Sequence, residues 1–136
     1  MDISVIIILV VIGLAVLLTA YVFIKTHRKV LSTADQAYIK KHWNRIVREA
    51  NGNPNNAILD ADKLLAHTLK ARGIEGSVGE QLKAAPSLFS NLNDVWGAHK
   101  VRNQIAHEIG MKITPKEAKS NLTIYKKALK DLGAKL

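Results

Sequence analysis

Between residues 3 and 24 the chain carries no charged side chain. Crossing a hydrocarbon layer takes about 20 apolar residues of helix, and inside that layer only a helix or a closed barrel satisfies its own peptide groups. The run is expected to be a transmembrane helix. A secretory leader has an apolar core of about 7–15 residues behind basic residues and ahead of a small-x-small cleavage site. Here nothing basic precedes the run, the run is longer, and no convincing cleavage site follows. Asp2 and the amino group stand before it, whereas Lys25, His27, Arg28 and Lys29 follow at once. Positive charge tends to stay inside. The expectation is a single-pass protein of the inner (plasma) membrane, with its N-terminus outside and its C-terminal domain cytoplasmic. Gly13 and Ala15 leave a small-residue patch without a Gly-xxx-Gly pair, so the span itself gives little sign of dimerisation.

Residues 1–31 thus read as a membrane anchor with a basic juxtamembrane segment, and 32–136 as one domain. That length supports one hydrophobic core and not two. Cysteine is absent, which excludes disulfides, thiolate metal sites and a cysteine nucleophile. Net charge is +9. An excess of Lys and Arg suits anionic partners, nucleic acid or phospholipid headgroups, and equally suits a small domain that must stay soluble.

Ser32 or Thr33 with Asp35 or Gln36 opens a helix over about 33–50, on which Ile39, Trp43, Ile46, Val47 and Ala50 recur at helical spacing. A second helix spans about 56–72, with Ile58, Ala61, Leu65 and Leu69 on one side and Gly73 as its stop. Ser77 and Glu80 then start a short helix that ends before Pro86. Asn91 with Asp94 opens the next, which runs to Glu108 or Ile109 and halts at Gly110. Thr114, Pro115 and Glu117 start the last, with Ala118, Leu122, Tyr125, Ala128, Leu129 and Leu132 on its buried side. No stretch alternates as a strand does. The soluble part is expected to be all-α, its helices joined as an antiparallel four-helix bundle.

The chemistry concentrates on the helix from residue 91. At 100° per residue, Leu92, Val95, Trp96, His99, Arg102, Asn103, Ala106 and His107 share one arc, opposite Lys100, Gln104 and Glu108. Polar groups on an apolar arc need partners or a use. In one reading Arg102 and Asn103 bond loop carbonyls or a carboxylate such as Asp60 or Asp62, and His107 caps a helix end. In the other, Arg102, Asn103 and His107 form a catalytic site. His99, Asn103 and His107 fall at i, i+4 and i+8, but two imidazoles and an amide without a His-Glu-x-x-His arrangement make a poor metal set. Neither a metal nor a small-molecule cofactor is expected. His99 reads as a packing histidine, Trp43 and Trp96 as core, and the lysines 116, 119, 126, 127 and 130 as a solvated face that could also follow phosphates.

Arg102-Asn103-Gln104-Ile105-Ala106-His107, an arginine followed by asparagine and five positions later by histidine, resembles the signature of HEPN domains. The segment from Ala57 to Leu65 is also similar to the second helix of many bacterial members, helix order agrees, and the likeness covers roughly 33–132. The resemblance implies a metal-independent endoribonuclease or RNA-binding module active as a homodimer, with the motif helices facing each other across a basic cleft. His107 would take the proton of a ribose 2′-hydroxyl, Arg102 would hold the scissile phosphate, and Asn103 would orient the imidazole or contact phosphate. A 2′,3′-cyclic phosphate would be the product. Arg102 and His107 lie about 140° apart on an ideal helix, so two facing copies suit one phosphate better than one does. Many members of that superfamily are non-catalytic interaction modules, and the same residues would then be structural in a membrane-anchored scaffold. Ile109 stands where toxin-type members silenced by nucleotidyl transfer carry tyrosine, which leaves that regulation without its acceptor.

Overall fold

The computed structural model describes residues 1–26 and 29–136. His27 and Arg28, and the side chain of Lys25, on which part of the orientation argument rests, lie outside the described residues. Within them six α-helices, one 3₁₀ turn and no strand occur: α1 (Ile3–Thr26), α2 (Thr33–Glu49), α3 (Pro54–Ala71), α4 (Val78–Ala84), the 3₁₀ turn (Pro86–Leu88), α5 (Leu92–His107) and α6 (Pro115–Asp131). The chain is all-helical, as its patterning required.

In α1 the segment Ile3–Phe23 has a mean hydropathy of 3.1 and none of it is buried against the rest of the protein. It is long and apolar enough to cross a membrane. A helix apolar all round and unburied in the protein suits an apolar surrounding, as a membrane span or an apolar leader would.

The remaining helices begin where local chemistry tells them to. Ser32 and Asp35 form a reciprocal capping box at the head of α2, and Thr114 and Glu117 form another at the head of α6. Each answers two amide N–H groups that the first helical turn leaves open. Asn53 caps α3, Ser77 caps α4 and Asn91 caps α5. Gly73, at φ +85°, lets the chain turn back so that Ile74 N–H donates to the Leu69 carbonyl and closes α3.

α3 is the centre of the packing, in contact with α2, α4, α5 and α6. Ile58, Ala61, Leu65 and Leu69 face inward from it and are fully buried. Around them sit Ile39, Trp43 and Ile46 of α2, Leu82 of α4, Val95 and Ala98 of α5, and Leu122, Tyr125 and Leu129 of α6. Each large aliphatic removed from water here contributes about 1.5–3 kcal/mol. Two polar ties fix the ends of this arrangement. Gln36 donates to the Gly133 carbonyl at 2.8 Å and accepts from Lys135 N–H at 2.9 Å, fastening the start of α2 to the segment beyond α6. At the other end Asn55 donates to the Met111 carbonyl (2.7 Å) and accepts from Ile113 N–H (3.0 Å), holding the α5–α6 loop against the head of α3. Asn55→Ala removes both half-buried bonds; thermal unfolding should show a loss of about 1–2 kcal/mol.

Three sequence expectations shift. The helix expected over about 56–72 begins earlier, at Pro54, because Asn53 caps it and proline suits its first turn. The 3₁₀ turn after Pro86 was not anticipated. α5 also ends at His107 rather than at Glu108 or Ile109, because Glu108 turns extended (φ −89°, ψ 125°) as the chain leaves for the loop held by Asn55.

Candidate functional site

On the apolar stripe of α3, between Ala61 and Leu65, stands a carboxylate. Asp62 is 2% exposed, and a buried charge persists only when it is paired and hydrogen-bonded. α5 and α6 supply the partners. His99 Nδ1 lies 2.9 Å from Asp62 Oδ1, and the Tyr125 hydroxyl donates to the same oxygen at 3.0 Å. The guanidinium of Arg102, one turn beyond His99, brings Nε to 3.3 Å from Asp62 Oδ2. That Nε forms no well-aligned hydrogen bond, so charge rather than bond geometry holds the pair.

Asn103 closes the circle. Its carbonyl oxygen accepts from Arg102 Nη1 at 3.0 Å, and its amide nitrogen is 3.3 Å from His99 Nε2. With the amide turned that way Nδ2 must donate, so His99 accepts through Nε2 and carries its proton on Nδ1, where it donates to Asp62. Four side chains thereby form a closed ring: hydrogen bonds run from Arg102 to Asn103 to His99 to Asp62, and the Arg102–Asp62 ion pair closes it. Both imidazole nitrogens of His99 are engaged within the chain.

The ring has one open side. Arg102 keeps 28% of its side chain exposed, and no hydrogen bond among the described residues engages its Nη2. An arginine held in place by a buried carboxylate has little freedom to lose when an anion reaches its exposed part. That is a suitable grip for a phosphate or carboxylate oxygen.

His107 is elsewhere. It is the last residue of α5 and, like Ala106 before it, is exposed, so the arc drawn from the sequence holds for Val95, His99 and Arg102 and fails at its C-terminal end. The reason is length: α5 runs past the residues that cover it, and its last turn meets solvent. The single chain therefore brings Arg102 and Asn103 together and leaves His107 apart. Of the two carboxylates weighed as partners for Arg102, Asp60 instead meets Arg45 of α2 at 3.1 Å, and Asp62 takes Arg102. His99 and Tyr125, read as packing residues, belong to the polar ring. The signal for the ring lay in Asp62, an acid on the same stripe as Ile58, Ala61, Leu65 and Leu69. No group of three or more His, Cys, Asp or Glu side chains suited to a metal occurs among the described residues.

Burial and the Asp62 carboxylate push the Tyr125 hydroxyl far above its usual range. A phenol held neutral in the fold stabilises it fully below the unfolded-state value near 10, and that contribution erodes progressively as pH rises beyond it. Alkaline titration followed at the tyrosinate band should therefore show Tyr125 ionising only together with unfolding, above about pH 10.

Fold and site define a chain whose described elements are all helical, with one helix able to span a membrane and an internal Asp–His–Asn–Arg ring to which Tyr125 is joined. No family model, curated protein or solved structure matches it.

Proposed function

We propose that the chain is a single-pass membrane protein whose cytoplasmic domain is a HEPN-like antiparallel four-helix bundle that binds RNA as a homodimer and cleaves it without a metal. The observation that carries this reading is Arg102, held by buried Asp62 and by Asn103 while part of its side chain stays exposed. Clamping fixes the guanidinium before the substrate arrives, and a group preorganised for a developing charge gains most in the transition state. His107 is exposed and has no partner among the described residues, as a general base awaiting a second subunit would be. Beside it Ile109 is fully exposed, an apolar contact for the facing copy. Two copies of α5 would bring an Arg102 and a His107 to one phosphate, which one helix does not.

A second reading has its own observation. The ring gives buried Asp62 its charge partner and hydrogen bonds within one chain, so Arg102 and Asn103 have a structural task whether or not RNA is ever bound, and the domain would then be a membrane-held interaction module.

Measuring RNA affinity against salt for the full chain in neutral nanodiscs separates the two. Arg102→Lys keeps a cation beside Asp62 and loses the planar fork. RNA binding should fall several-fold in this variant, with a shallower salt dependence and an unfolding temperature within a few degrees of wild type. RNA affinity equal in both proteins, or none in either, selects the interaction module. The topology is tested by protease added to intact cells, which should leave the C-terminal domain whole.

A further inference from the structure

α2 and α6 both pack on α3, and at one end Gln36 ties the head of α2 to Gly133 and Lys135 beyond the end of α6. Toward the opposite end they diverge around an open groove of about 750 Å³. Its floor is apolar at Trp43, Ala50 and Leu122, core residues that show it only an edge, and at Val47, half exposed within it, while Asn44, Asn51 and Thr123 add polar atoms to the lining. Its rim is cationic, formed by Arg48 of α2 and by Lys119 and Lys126 of α6. No carboxylate lines the groove, and among the described residues none of these three cations is within ion-pair distance of an acid.

We propose that this groove docks an acidic amphipathic helix of a partner protein. Lys119 and Lys126 are seven residues apart on one side of α6, about 10.5 Å along its axis. Carboxylates at i and i+7 of a bound helix recur at the same interval, and apolar side chains at the intervening i+3 and i+4 positions would enter the floor over Val47. A single RNA strand fits less well. It needs aromatic faces on which bases can stack, and the one aromatic ring here, that of Trp43, is 5% exposed. The Arg102 ring takes no part in the groove, so this inference is independent of the nuclease reading.

The test is a selection from displayed helical peptides of 12–14 residues, with apolar residues fixed along one face and Glu, Gln or Lys allowed elsewhere. The target is the full chain in neutral nanodiscs. Peptides recovered should be rich in Glu at i and i+7. They should lose at least tenfold in affinity against the doubly substituted Lys119→Glu/Lys126→Glu protein, whose exposed changes leave the unfolding temperature unaltered, and regain it when their own Glu residues are replaced by Lys. A 12-nucleotide RNA strand, run in parallel, should bind both proteins alike at this face. Selection of neutral or Lys-rich peptides, no enrichment at all, equal binding to the substituted protein, or RNA affinity lost on Lys119→Glu/Lys126→Glu without any acidic peptide bound would each overturn the proposal.

Discussion

Asp62→Ala should lower the stability of the domain by about 3–5 kcal/mol, the usual cost of removing one partner from a buried pair. The change strands three groups together: the buried Tyr125 hydroxyl, His99 Nδ1 and the inner edge of Arg102, all of which converge on that carboxylate. Because 1 kcal/mol moves the unfolding midpoint of a small domain by several degrees, the drop should exceed about 10 °C in thermal unfolding. Asp62→Asn is the companion variant. It retains an acceptor for Tyr125 and forfeits the charge, so its midpoint should fall between the two. An Asp62→Ala protein as stable as wild type would mean that the ring is incidental to the fold.

The second large effect is expected at His107, and in activity rather than stability. His107→Ala alters an exposed side chain at a helix end, so unfolding should be unchanged within about 0.5 kcal/mol. Loss of a general base typically removes a factor of about 10²–10⁴ from the rate, and cleavage by the variant should drop by that much. A well-folded His107→Ala protein that cuts RNA at the wild-type rate would remove His107 from the chemistry and leave Arg102 and Asn103 as a binding feature.

Much of this architecture is local and therefore legible in the residues. Ser32 with Asp35 and Thr114 with Glu117 start helices through bonds within one turn, and the helix starts expected from them are those found. Gly73 ends α3 because its positive φ suits a residue without a Cβ. The uncharged run from residue 3 to 24 needs only length and hydropathy to be read. The site is a different matter, since it joins helices distant in sequence. Asp60 and Asp62 are two residues apart and about 200° apart around an ideal helix, so which of them receives Arg102 depends on how α3 is rotated. The stripe of Ile58, Ala61, Leu65 and Leu69 already turned Asp62 inward. His99 looked like a packing residue because an imidazole on an apolar face carries no mark of its partner. The exposure of His107 follows from how far α5 outruns its neighbours, and the groove beside Val47 from the splay of α2 against α6. Neither is encoded in any one segment.

Arg102 clamped in place and His107 free in solvent acquire a common purpose only if RNA is cut. The most direct measurement is incubation of the full chain, in neutral nanodiscs with EDTA, with a mixed pool of end-labelled RNAs, followed by analysis of the product termini. The account predicts cleavage that persists without metal and leaves 2′,3′-cyclic phosphate ends. RNA that stays intact, together with no salt-dependent retention of RNA by the protein, would contradict it and identify the ring around Asp62 as a structural clasp.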